Sequence, residues 1–254
     1  MRNIRLTLEY DGSAFCGWQV QPGQRSVQGE LEMALGRLTQ SETAVIAAGR
    51  TDSGVHALGQ VINFHTPSVL PVETFIRGAN ALLPPDVRVI AGEEATEEFN
   101  ARHDAISRAY RYRLTTRPRA VGRQYAWFLP LRLDLVAMQQ AASALRGVHD
   151  FVSFCRSGSE LEHHRCQVYS AEWHSEEDEF IFEIRANRFV HNMVRIIVGT
   201  CVEIGRGGLA PAVMTEILAA RDRCAAGRTA PAHGLFLLQI LYPSDIHPLP
   251  KERA

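Results

Sequence analysis

Ala47-Ala48-Gly49-Arg50-Thr51-Asp52-Ser53-Gly54-Val55-His56-Ala57 is a short polar loop between apolar runs, with an arginine and an aspartate two residues apart and a glycine on either side. Gly49 and Gly54 permit sharp turns or close approach by a ligand, so the loop can present Arg50 and Asp52 from rigid flanking elements. The same residues admit a plainer reading, in which Asp52 hydrogen-bonds loop amides and Arg50 pairs with it at the surface. Spacing alone leaves both open.

Working outward, Ile4, Leu6, Leu8 and Tyr10 alternate with polar residues up to Asp11-Gly12, the pattern of a strand entering a turn. After Pro22-Gly23, Ser26 is placed to cap a helix whose apolar positions are Val27, Leu31, Ala34, Leu35 and Leu38. Residues 44–48 and 61–66 read as extended segments around the loop. Val72, Phe75, Ile76, Ala79 and Leu82 hold helical spacing, and Pro84-Pro85 ends it. Val87 to Ala91 reads as a strand, and the acidic stretch Glu93 to Glu98 as a solvated connection.

From Ser107 the order repeats in outline. Tyr110, Tyr112 and Leu114 share one face of a strand and Ala109, Arg111 and Arg113 the other. Asp134 is placed to cap a helix through Leu145. Cys166 to His174 and Phe180 to Ala186 read as paired strands joined by an acidic turn. The strongest helical spacing runs from Val190 to Val202, with Gly205 as its stop. Pro211 is placed to open another helix, and Leu235 to Tyr242 closes the pattern as an apolar strand. Two halves that each mix strands and helices predict an α+β protein with antiparallel or mixed sheets, divided as 1–105 and 106–254.

Composition sets the bounds. The 254 residues are 46% hydrophobic and 22% charged, as in ordinary globular proteins. No stretch approaches the ~20 apolar residues of a membrane helix, so a cytoplasmic protein with no membrane partner is expected. Five scattered cysteines without a CxxC pair read as reduced thiols. Net charge is -1, so any nucleic-acid partner must be met by local charge. Seven arginines fall between Arg102 and Arg123 with Asp104 the one acid among them, a set that suits phosphate oxygens and equally suits a solvated face.

Gly-Arg-Thr-Asp-Ser-Gly-Val-His-Ala at 49–57 resembles the active-site signature of the tRNA pseudouridine synthase A family. Further motifs fall in the family's order: Tyr10-Asp11-Gly12 with Phe15-Cys16-Gly17-Trp18-Gln19, Ser26 to Glu32, Phe99 to Arg102 leading into Ser107 to Tyr112, Phe189 to Arg195, and Ala230 to Leu235. The resemblance runs from Tyr10 to Tyr242. Arg108 departs from the lysine that many relatives carry, and the segment 157–166, with Glu160 and His163-His164, matches nothing in the pattern.

The resemblance implies a pseudouridine synthase fold of two similar RRM/ferredoxin-like halves, the first carrying the aspartate loop and the second completing an active-site cleft. It implies an isomerase acting without cofactor on uridines 38, 39 or 40 of the tRNA anticodon stem-loop, as a homodimer. Asp52 becomes the catalytic carboxylate, while Arg50, Tyr110 and Leu235 become substrate-binding residues. Tyr110 would stack on the displaced uracil, and Arg50 would keep Asp52 ionised or stand where the base has left the helix. Arg102, Arg108 and Arg111 are candidates for the RNA backbone.

Three other readings compete. An aspartic protease needs two facing carboxylates, and no second Asp-Ser/Thr-Gly triplet occurs. A metal site at His163, His164 and Cys166 lacks a fourth ligand, so no metal is expected. An RNA-binding module without catalysis is the remaining alternative.

Overall fold

Alternation at Ile4, Leu6 and Leu8 does produce a strand, β1 (Arg2–Tyr10), and the chain beyond it divides into two units, Met1–Ser107 with the segment returning from Leu237, and Arg108–Phe236. The computed structural model describes residues 1–158 and 163–246. After β1 come α1 (Val27–Thr39), β2 (Ile46–Ala47), β3 (His56–Thr66), α2 (Val72–Leu82), β4 (Val87–Ala95) and β5 (Ser107–Thr115). The chain continues through β6 (Trp127–Phe128), α3 (Leu135–Ser143), β7 (Gly147–Asp150), β8 (Arg165–Glu176) and β9 (Glu179–Ala186). It ends with α4 (Met193–Gly205), α5 (Val213–Ala220), β10 (Leu235–Leu241) and α6 (Pro243–Ile246). Strands and helices are mixed throughout; β1 with β3 and β4, β2 with β3, β5 with β9, β8 with β9 and β7 with β8 pair antiparallel, while β6 runs parallel to β5. The architecture is α+β.

In the first unit the strand order is β4-β1-β3-β10, with β2 on β3. Leu6 sits opposite Ile62 and Ile4 opposite Phe64, so the apolar face read from β1 meets a matching one on β3. Helix α2 buries against it: Phe75 meets Phe64 edge-on at 5.4 Å, and Gly92 leaves room for Val72 and Ile76 beside Leu6. Ser26 caps α1 as the sequence predicts, its Oγ accepting from Gly29 N at 3.2 Å. The acidic stretch is not all connection. β4 continues to Ala95 because Arg5 and Arg2 of β1 supply cations to Glu93 and Glu94, each at 2.9 Å.

The second face of β1 and β3 is polar and buried. Asn63 Nδ2 donates to Asn3 Oδ1 at 2.9 Å, Asn3 Nδ2 to Phe99 O at 2.8 Å, and Ala101 N to Asn63 Oδ1 at 2.9 Å. Tyr242, just beyond β10, donates its hydroxyl to Ala101 O at 2.7 Å. Each buried amide finds a partner, as burial of polar groups requires.

In the second unit the order is β5-β9-β8-β7. Tyr112 is fully buried and donates to Pro231 O at 2.8 Å. Helix α4 starts at Met193 and not at Val190, because Asn192 is left-handed at φ 64° and the preceding residues form a turn. Likewise α5 starts at Val213, with Pro211 two residues ahead of it. On β5, Arg111 pairs with Glu183 at 2.6 Å and Arg113 with Glu179 at 2.7 Å. Arg117 pairs with Asp178 at 2.7 Å, and Arg119 also pairs with Glu179.

Burial alone would raise the Glu179 carboxyl, but hydrogen bonds and charge from Arg113, then Arg119, outweigh it and hold the group below its ordinary value. A depressed carboxyl contributes stability that is present above its unfolded value and lost as pH falls through the folded one. Both guanidinium groups keep contact with water, so the contribution is about 1 kcal/mol. Urea denaturation of Glu179→Gln should show that deficit at neutral pH, and the difference from the parent should shrink as pH falls below the ordinary glutamate range and through the lowered folded value.

Candidate active site

The loop 49–55 lies in the first unit between β2 and β3, and its conformation is set by the N-terminal motif that follows β1. Trp18 N donates to Thr51 O at 3.0 Å, and Ser53 Oγ donates to Phe15 O at 3.2 Å. The hydroxyls of Tyr10 and Thr51 lie 2.8 Å apart in a buried hydrogen bond. Gln60 Nε2 donates to Gly49 O at 2.7 Å. Asp52 O accepts from Val55 N at 3.1 Å, closing a turn in which Gly54 takes φ +76°.

Two glycines of the motif permit this contact. A Cβ on Gly12 would lie 2.0 Å from Val55 O. Gly17 combines φ +101° with a would-be Cβ 2.9 Å from Thr51 O and 3.3 Å from Asp52 C. His56, 1% exposed, accepts from Gly12 N at Nδ1, 3.1 Å away, and so braces the loop from its C-terminal side. Arg25 secures the motif in turn, stacked 4.1 Å over Phe15 and bidentate on Asp86 at 2.8 and 2.9 Å. Burial pushes the Tyr10 phenol up to about 12, the bond to Thr51 opposing the rise, so the hydroxyl stays protonated at neutral pH.

What this frame presents is Asp52, half-buried, beside Arg50, exposed. The two side chains differ in exposure, the carboxylate half-sunk in the loop and the guanidinium out in solvent. A fixed carboxylate with an exposed guanidinium two residues away can act on a ligand and grip an anionic one.

In the second unit Tyr110 is buried in β5, with the ring of Phe189 edge-on at 5.0 Å. Leu235 is buried at the head of β10. Arg108 donates to Asn187 O at 2.8 Å and Arg111 is engaged by Glu183, while Arg102, back in the first unit, is exposed. Arg102 lies on a turn that the Asn100 side chain shapes by accepting from Arg102 N at 3.0 Å and His103 N at 3.1 Å. Four of the seven arginines between 102 and 123 thus meet carboxylates of the chain itself. Those partners, Asp178, Glu179 and Glu183, come some sixty or more residues later, which hides them from a local count.

Glu160 lies outside the described residues. Among the described residues no group of three His, Cys, Asp or Glu side chains is placed to hold a metal ion, and no helix is long and apolar enough to cross a membrane. Sequence reasoning matched Tyr10, Gly12 and Gly17 to a motif without assigning them a task. The available signal was two glycines within five residues beside buried aromatics.

A sequence profile of the family described as tRNA pseudouridine synthase matches residues 7–104 and 141–243. The tRNA pseudouridine synthase A of Bacillus pumilus (strain SAFR-032) is 46% identical over 243 residues, covering 94% of this chain and 98% of the relative. The protein of the same description from Bacillus subtilis (strain 168) is 44% identical over 243 residues, covering 94% and 98%. Among solved structures, the archaeal box H/ACA Nop10-Cbf5 complex gives a TM-score of 0.36 at 9% identity, over 79% of this chain and 44% of that one, a similarity below the level that identifies a shared fold.

The glycine contacts predict a graded response to added methyl groups. Gly23→Ala carries the left-handed φ penalty, +71°, in open space and should cost about 1 kcal/mol. Gly17→Ala adds the clash with Thr51 and should cost about 3 kcal/mol. Thermal denaturation of the two variants checks the order, and equal losses would show that the 49–55 loop yields freely.

Proposed function

This chain belongs to the tRNA pseudouridine synthase family, and from that premise we propose that it isomerises uridine at positions 38, 39 and 40 of the tRNA anticodon stem-loop with Asp52 as its catalytic carboxylate. The observation that carries the assignment is the hydrogen-bonded frame around Thr51-Asp52-Ser53, which fixes one half-buried carboxylate in a loop bearing the family signature. The reaction breaks the N1 to C1′ bond, turns the uracil and joins C5 to C1′. One proton leaves C5 and one is gained at N1, so no oxidant, reductant or nucleotide enters the balance. Such chemistry needs a carboxylate held at the ribose and a detached base kept from water.

The target nucleotide must leave its stack, at a cost of a few kcal/mol that is smallest where stem meets loop. Arg50, exposed, is suited to stand where the base was or to hold its phosphate. Tyr110 is assigned to stack on the displaced uracil, and Leu235 to line the uracil pocket. Arg102 is the best placed of the backbone candidates because it is exposed. Arg108 and Arg111 would need to keep or exchange their partners Asn187 and Glu183 to serve. The enzyme is proposed to work in the cytoplasm, without cofactor, as a homodimer.

The test is tritium release from tRNA labelled at uridine C5, comparing the protein with its Asp52→Asn variant. The parent should release label and the variant should be slower by about a thousandfold or more. Binding of tRNA should hold or tighten in the variant, because a negative charge facing phosphates is gone. A parent that binds tRNA and releases nothing would be an RNA-binding module. An active variant would remove Asp52 from its role.

A further inference from the structure

We propose that Tyr10 and Thr51 form a positioning couple for the isomerisation, in which the bond between their hydroxyls fixes the peptide that carries Asp52 and governs the chemical step, not RNA binding. The inference rests on Asp52 being the catalytic carboxylate. Both side chains are buried, Tyr10 4% exposed and Thr51 7%, and their hydroxyls are turned to each other.

Thr51 immediately precedes Asp52, and the two differ in environment, one buried and the other half-buried. The Thr51 carbonyl accepts from Trp18 N at 3.0 Å and its hydroxyl meets Tyr10 at 2.8 Å, so both polar groups next to the catalytic residue are held by the N-terminal motif. Tyr10 is itself immobile. It ends β1 between Ala57 of β3 and Val87 of β4, and its ring lies 6.1 Å from that of Trp18. Phenylalanine would fill the same apolar space, so packing does not account for the hydroxyl. What the hydroxyl adds is a fixed point for Thr51.

Magnitudes separate this role from plain stability. One buried hydrogen bond is a small part of the folding stability of a unit of this size, too little to unfold it. A displacement of about 1 Å at a reacting group can cost about a hundredfold in rate. Loss of the couple should therefore appear in kcat well before it appears in the folded population.

Tritium release should be measured for the parent, Tyr10→Phe, Thr51→Val, the double variant and Thr51→Ser. Tyr10→Phe and Thr51→Val are expected to lower kcat about tenfold, with KM for tRNA within about twofold. The double variant should be no slower than the worse single one, because both remove the same bond. Thr51→Ser, which returns the hydroxyl without the methyl, should recover most of the rate lost in Thr51→Val. Parental kcat in Tyr10→Phe, fully additive losses, or Thr51→Ser impaired where Thr51→Val is not would each overturn the couple. So would a fall in kcat matched by an equal fall in tRNA-binding sites, which would mean unfolding. A parent that releases no tritium takes the inference down together with the function, and is told apart because the deficit is then not confined to the variants.

Discussion

The close approach of two backbones, at Gly12 against Val55 and at Gly17 against Thr51 and Asp52, is the constraint on which the first unit's chemistry depends. An ordinary side chain at Gly12 would place a carbon 2.0 Å from a carbonyl oxygen, a separation that no rotamer change relieves. Only with that space empty can the Trp18 amide, the Phe15 carbonyl, the Tyr10 hydroxyl and the His56 ring all reach their partners. The loop is thus ordered by a segment more than thirty residues earlier in the chain, and the precision of the carboxylate is a property of that contact.

Electrostatics in the second unit follow a different logic. The arginine cluster on and after β5 suggests a surface made for phosphate, yet Arg111, Arg113, Arg117 and Arg119 are answered by Glu183, Glu179 and Asp178. This pairing accommodates a chain of net charge -1 with an arginine-rich strand. It also leaves the count of arginines in this stretch a poor measure of the positive surface, since four of them share their charge with these carboxylates.

Periodic elements were legible because their causes are local. Alternation in β1, the Ser26 and Asp134 caps, and the β8–β9 hairpin each depend on residues within a few positions of one another, and each stands where the pattern puts it. The parts that were misread depend on distant partners. Glu93 and Glu94 look like a solvated connection until Arg5 and Arg2 lie beside them and extend β4. Val190 holds helical spacing, yet the left-handed Asn192 delays the helix to Met193. At the site, Asp52 could be singled out from the signature, but the frame that holds its loop could not, since Trp18, Phe15 and Tyr10 reach it from more than thirty residues earlier.

The buried amides of Asn3 and Asn63 show how a distant polar network fixes an exposed turn. They sit on the face of β1 and β3 opposite the apolar core, bond to each other and hold Phe99 and Ala101 through three hydrogen bonds, with Tyr242, just beyond β10, adding a fourth. A polar network wholly satisfied in this way fixes geometry more sharply than apolar packing does, because an amide moved out of line loses its partner and bears its full desolvation cost. Asn100 and Arg102 continue directly from that anchored segment. A guanidinium carried on such a base surrenders less freedom when it meets a phosphate than one on a mobile loop. Sheet faces of this unit therefore serve two ends: the apolar face stabilises the unit, and the polar face sets where an exposed cation begins.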